Sequence, residues 1–276
     1  MIDIVDYNRM WRIFRRRNNN SSFDWDSRAA SFNRAVSGTS DETLRNVEAL
    51  GLLPADTVLD MGAGTGRYAV PLAQHAAHVT VLEPSKGMLA FLEENMRNAG
   101  LSNYSVINRN FEDIEAGKDI PVHDVVFASN SLGFDDLKAG LEKLNSLAKR
   151  TVNILWFAGP MRHMPDPELM KRLGAETSDM TTPDYLTIVH VLHSMGIYPN
   201  VSVEKSIRRQ SYDSPDEAAD FWIDRGNYTE DMQEEIREYM RDTLIPDDNG
   251  RFRTERVYYP VRIWWNKEDF CNESGL

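Results

Sequence analysis

The chain has 276 residues, the length of one large domain or two small ones, and no apolar run approaches the ~18 residues that a membrane span requires. Lys and Arg number 31 against 43 Asp and Glu, a net charge of −12 that repels phosphate backbones and anionic lipid surfaces, so nucleic-acid and membrane partners are not expected. The single cysteine, Cys271, excludes an internal disulfide and a cysteine-built zinc site, and the N-terminal arginines follow the apolar residues instead of preceding them, so the expected location is the cytoplasm.

In chain order, Tyr7, Met10, Trp11 and Phe14 recur at helical spacing, and Trp25, Ala29, Phe32 and Val36 mark a second helix. A third starts at a capping box of Thr39 and Glu42, carries Leu44, Val47 and Leu50, and stops at Gly51. Strand and helix then alternate: strand 57–60, helix 68–77, strand 79–82, a helix with Met88, Leu89, Leu92 and Met96, strands 104–107 and 122–128, helix 135–148 and strand 152–157. Glycine and prolines mark a loop over 159–167. Helix 183–195, strand 201–207, helices starting at Ser214-Pro215 and Thr229, and a last strand at 257–265 with Pro260 at an edge or bulge complete the chain. The pattern predicts an α/β, doubly wound, mostly parallel seven-stranded sheet. Residues 1–50 form an N-terminal helical segment, and the body, 51–276, carries a helical insertion at about 209–256 before the last strand. Between Asp213 and Asp248 stand 13 acidic and 3 basic residues, so the charge is concentrated in that insertion.

The segment Val58-Leu59-Asp60-Met61-Gly62-Ala63-Gly64-Thr65-Gly66-Arg67 brings a strand into clustered glycines and then a helix, a geometry that lets backbone N–H groups approach a small polar ligand. Dinucleotides and S-adenosylmethionine both use it. A diphosphate needs the spacing G-x-G-x-x-G, whereas here the spacing is G-x-G-x-G and Arg67 stands where the third glycine would. Asp60 would repel a diphosphate but can engage an amino-acid ammonium.

Asp60-x-Gly62-x-Gly64-x-Gly66 resembles the first motif of the class I S-adenosylmethionine-dependent methyltransferases, and the resemblance covers residues 55–157. It implies a Rossmann-like methyltransferase fold, S-adenosyl-L-methionine as cofactor, and methyl transfer as the reaction. It also implies Asp60 near the methionine moiety, with Gly62, Ala63, Gly64 and Gly66 binding the polar end. Glu83 would accept hydrogen bonds from both ribose hydroxyls, Pro84 and Met88 would pack on adenine, and Ser129 would border the cofactor. Asn110, Phe111 and Glu112 match the adenine position after the third strand. The family more often has Asp where this chain has Asn110, but an amide can still accept from the adenine amino group. A binding protein without turnover and an NAD-type oxidoreductase are the alternatives.

The family places its acceptor beyond the fourth strand, here residues 127–133, which lack both the Asn-Pro-Pro-Tyr sequence of amino-group methylases and a Pro-Cys nucleophile. A small-molecule or protein side-chain acceptor, neutral or cationic, is therefore expected. Asn130 and Ser131 are candidates for positioning it by location, and His163 is a candidate general base. His190 and His193 are read as partly buried helix residues and no metal is expected. The stretch Trp25 to Asn33 resembles a helix that folds over the cofactor, although its aromatics suit core packing equally well. Phe221, Trp222, Tyr228 and Tyr239 are candidate walls of a lid formed by the insertion.

Overall fold

A strand buried on both faces of a parallel sheet reads as a short, mostly apolar run, and four such strands with a half-exposed edge strand beside them build the centre of this protein. The computed structural model describes residues 5–18, 24–36, 40–159, 167–174, 183–224, 228–248 and 250–270. The elements are α1 (Tyr7–Asn18), α2 (Trp25–Val36), α3 (Asp41–Glu48), β1 (Thr57–Met61), α4 (Ala69–His75), β2 (His78–Leu82), α5 (Lys86–Asn98), β3 (Tyr104–Ile107), β4 (His123–Ser129), α6 (Leu137–Leu147) and β5 (Ala148–Ala158). They continue with α7 (Pro167–Arg172), α8 (Tyr185–Ser194), β6 (Asn200–Val203), β7 (Ser206–Tyr212), α9 (Pro215–Ile223), α10 (Glu230–Thr243), β8 (Ile245–Pro246) and β9 (Phe252–Asn266).

The chain divides into two compact units, one made of the chain up to Trp156, Tyr185–Ser202 and the chain from Arg262, the other of Phe157–Asp184 and Val203–Val261. The strands run in the order β3-β2-β1-β4-β5-β9-β6, with β7 and β8 also paired to β9. β1 to β5 pair in parallel, and the pairings Met61 with Leu82, Leu82 with Ile107 and Met61 with Ala128 align their carboxyl ends. This is the doubly wound α/β architecture expected, with nine strands in place of seven. Val58, Leu59, Val79, Val81, Val125, Val126, Phe127, Val152 and Ile154 are fully buried in it. Helices begin where polar side chains take up free N–H groups: Ser85 accepts from Met88, Asp136 from Ala139, Ser214 from Glu217 and Thr229 from Met232.

Several boundaries differ from the sequence expectation. α3 is capped by Ser40, whose Oγ accepts from the Thr43 N–H at 3.2 Å, and Glu42 meets Arg67 at 3.7 Å; Thr39, expected to open a capping box, lies outside the described residues. The expected strand 201–207 is two strands, because the charged pair Glu204-Lys205 interrupts it. The last strand is longer than expected, and Pro260 lies inside it with its carbonyl accepting from the Glu204 N–H. A short helix, α7, begins where a loop was expected to end, and its Leu169 is fully buried.

The second unit has its own core of Leu169, Tyr212, Ala218, Trp222, Ile236 and Met240. Trp222 and Tyr239, expected as pocket walls, are buried in that core, and Phe221 and Tyr228 pack against it. The acidic surface of α9 and α10 is partly paired, through Arg237 with Asp220 at 2.7 Å and Arg241 with Asp216 at 3.2 Å. In the same unit β7 and β9 pair antiparallel and carry Arg208, Arg209, Arg253 and Arg256.

Gly140 of α6 leaves room for the Phe134 ring, since a Cβ there would lie 2.1 Å from it. Phe134 in turn supports the loop after β4. Gly140→Ala is therefore expected to lower unfolding stability by about 1–3 kcal/mol, the usual scale of overpacking, measured by urea denaturation; an unchanged midpoint would contradict this packing.

Candidate functional site

Because the parallel strands end in register, Asp60, Glu83, Asn110 and Ser129 are brought to one edge of the sheet, on or just beyond β1, β2, β3 and β4. Four adjacent strands span roughly 15 Å at the usual strand spacing, which suits an elongated ligand lying across them. The glycine loop follows β1. Gly62 has φ +74, and a Cβ on it would lie 2.3 Å from the Ser131 Cβ, so only glycine lets the loops after β1 and β4 touch here. Gly62 and Ala63 both donate to the Leu82 carbonyl, and Gly66 donates to Ala63, which fixes the loop's path.

Asp60 is 2% exposed, and its Oδ2 has no hydrogen-bond partner among the described residues. Burial first, and the nearby Glu83 carboxylate second, push its pKa up to about 7. Glu83 is also buried. Its Oε2 accepts from the Gly64 N–H and its Oε1 from the Ser85 N–H, each at 2.9 Å, so one carboxylate ties the glycine loop to the start of α5. Burial raises the Glu83 pKa, and the two N–H bonds work against that rise. Pro84 is exposed, and Met88 is buried with its N–H on the Ser85 Oγ.

After β3, Asn110 precedes a single 3-10 turn, Phe111–Asp113. Phe111 is buried with its ring centroid 5.2 Å from that of Phe134, and the Glu112 Oε1 accepts from the Asp135 N–H at 2.8 Å. The loops after β3 and β4 are thereby joined. Ser129 ends β4 half-buried, Asn130 holds φ +52 and donates from Nδ2 to the Ser129 Oγ, and the Ser131 hydroxyl donates to the Met61 carbonyl at 2.6 Å.

Both N-terminal helices reach these loops. The Asp26 Oδ1 on α2 accepts from the Ser85 Oγ at 2.6 Å and from the Gly87 N–H at 2.7 Å, and a Cβ on Gly64 would be 3.6 Å from the Phe32 ring. Asn95 donates to both Asn33 of α2 and the Thr65 carbonyl. Trp25 is exposed and meets Phe32 edge to face, while Ala29 is buried. α1 buries Trp11, whose indole N–H donates to the Phe134 carbonyl at 2.7 Å.

His163 lies outside the described residues. His190 and His193 are exposed, not partly buried as expected, and their rings meet Tyr7 at a tilt and Tyr198 edge to face respectively. Asp26, Asp113 and Lys143 were not singled out from the sequence. Asp26 and Lys143 act on residues far away in the chain, whereas Asp113 stands three residues after Asn110, a spacing that could have revealed it.

A family model described as a methyltransferase domain matches residues 58–151. An uncharacterized protein of Haemophilus influenzae is 27% identical over 251 residues, 88% of each chain. A 23S rRNA (uracil(1939)-C(5))-methyltransferase of Klebsiella pneumoniae is 36% identical over 77 residues, which is 28% of this chain and 18% of that enzyme. Among solved structures, magnesium protoporphyrin IX methyltransferase from Synechocystis, crystallised with S-adenosylhomocysteine, is similar with a TM-score of 0.50 and 16% identity, covering 95% of this chain and 99% of that one. A putative methyltransferase of Bacillus halodurans also has a TM-score of 0.50, at 13% identity over 83% of this chain and 99% of that one. The structural likeness is one of fold, and the matched segment holds the glycine loop, Asp60 and Glu83. Residues 58–151 match a methyltransferase domain, and this segment carries the residues on which the resemblance to the S-adenosylmethionine-dependent methyltransferases rests.

Proposed function

We propose that the edge formed by β1 to β4 binds the cofactor with its amino-acid end at Asp60 and residues 62–66, its ribose at Glu83, and its adenine near Pro84, Met88 and Asn110–Glu112, with Ser129 bordering it. The methyl group then passes to a small-molecule or protein side-chain acceptor. The observation that carries this reading is the buried Asp60 oxygen without a partner among the described residues. A buried carboxylate is costly unless something donates to it, and the ammonium of an amino acid supplies both a donor and the opposite charge. Glu83 fits a diol as well: each of its oxygens accepts one backbone N–H, and an ionised carboxylate has about four lone-pair sites.

The bound cofactor supplies a methyl group already activated by its positive sulfur. The protein has to align an acceptor and exclude water, which suits a site lined by loops and covered by a helix. α2 is placed to act as that cover, through Phe32 at Gly64 and Asp26 at the start of α5. The Ser131 hydroxyl spends its proton on Met61, so toward an acceptor it presents only lone pairs. Asn130 and Ser131 are accordingly assigned to positioning the acceptor. The net charge of −12 favours a neutral or cationic acceptor over a polyanion.

Asp60→Ala and Glu83→Ala are each expected to weaken binding of S-adenosylhomocysteine by on the order of 1 to 3 kcal/mol, the scale of losing charged or paired hydrogen bonds in a buried site; unchanged calorimetric affinity in both folded variants would mean the pocket is misplaced. Labelled methyl groups from the cofactor, supplied with a fractionated cell extract, are expected to enter the small-molecule or protein fraction. Label confined to RNA would refute the acceptor assignment.

A further inference from the structure

The turn after β3 is closed twice by the same two residues. The Asp113 N–H donates to the Asn110 carbonyl at 3.1 Å, and the Asn110 Nδ2 donates to the Asp113 Oδ2 at 3.2 Å. A carboxylate can only accept, so the amide has to turn its NH2 toward Asp113. Its oxygen, Oδ1, is thereby directed away from that bond. The turn itself is held from below: the Lys143 Nζ donates to the carbonyls of Phe111, Glu112 and Ile114 at 2.9, 3.1 and 2.8 Å and lies 5.0 Å from the Phe111 ring centroid. Asn110 is exposed and its Oδ1 has no partner among the described residues. What this turn offers a ligand is an acceptor.

We propose that Asp113 makes the cofactor site select a 6-amino purine over a 6-oxo purine, by holding the Asn110 amide with its oxygen outward. This rests on the placement of adenine at Asn110 proposed above. An unrestrained asparagine suits either ring, because its amide rotates to accept from an amino group or to donate to an oxo group. Asp113 removes that choice and gives Asn110 the acceptor character of an aspartate. An aspartate at position 110 would instead set two carboxylates against each other across the turn.

The test compares S-adenosyl-L-homocysteine with S-inosyl-L-homocysteine, its 6-oxo counterpart, by calorimetry on the full chain. The wild type is expected to prefer the adenosyl compound by about thirtyfold or more, as sites built to pair a specific hydrogen-bonding group do. Asp113→Ala is expected to cut that preference to about threefold, since the freed amide can then also donate. The double variant Asn110→Asp, Asp113→Ala is expected to restore it, because a carboxylate at 110 cannot donate whichever way it turns. Failure of the double variant to restore selectivity would overturn the orienting role. So would a wild-type preference that survives Asp113→Ala but is lost in Asn110→Ala, a result that leaves adenine at Asn110. Wild-type affinity and preference in Asn110→Ala would remove adenine from Asn110 and the proposal with it.

Discussion

A carboxylate closed into the end of the central strand is the constraint on which the rest of the site depends. With its pKa raised from 3.8 to about 7, ionised Asp60 costs the cofactor-free fold on the order of 4 kcal/mol at about 1.4 kcal/mol per pH unit. The sign follows from linkage: the folded state holds the proton more tightly than the unfolded chain, so stability falls as pH rises from 3.8 toward 7. No residue among the described ones donates to its Oδ2. The proposed ligand cation would return the interaction that burial removed.

The fold places the other groups around that point by register. Parallel strands that end together put Glu83 one strand away from Asp60, and Glu83 is held by N–H groups from the glycine loop and from the start of α5. The two loops farther along the edge are joined by Glu112, Phe111 and Phe134. α2 reaches both ends of the Glu83 bridge, with Phe32 facing Gly64 across the space a Cβ would fill and Asp26 bonded to Ser85. The proposed cofactor site and the proposed cover helix therefore share Ser85, whose N–H donates to Glu83 and whose hydroxyl donates to Asp26.

The sheet and the glycine loop were legible because their signals are local: continuous apolar runs such as Val58-Leu59, and an acid followed by spaced glycines. Boundaries failed where two adjacent residues could serve one role, as Thr39 and Ser40 both can as a cap, or where a charged pair such as Glu204-Lys205 broke an otherwise strand-like run. Aromatic residues were ambiguous for a different reason. Trp222 and Tyr239 suit a pocket wall and a core equally well in composition, and only the packing of α9 on α10 assigns them to a core. Asp26 and Lys143 were invisible because their partners, Ser85 and residues 111–114, lie far away in the chain.

The most direct measurement of the central claim is the proton balance of cofactor-product binding, obtained by titrating S-adenosylhomocysteine calorimetrically in two buffers of different ionisation enthalpy between about pH 6 and 8. An ammonium seated at Asp60 favours the ionised carboxylate, so binding near pH 6 is expected to release most of one proton. The release should fade above about pH 8 and disappear in Asp60→Asn. Binding at pH 6 without proton release, or release that persists in Asp60→Asn, would contradict the account.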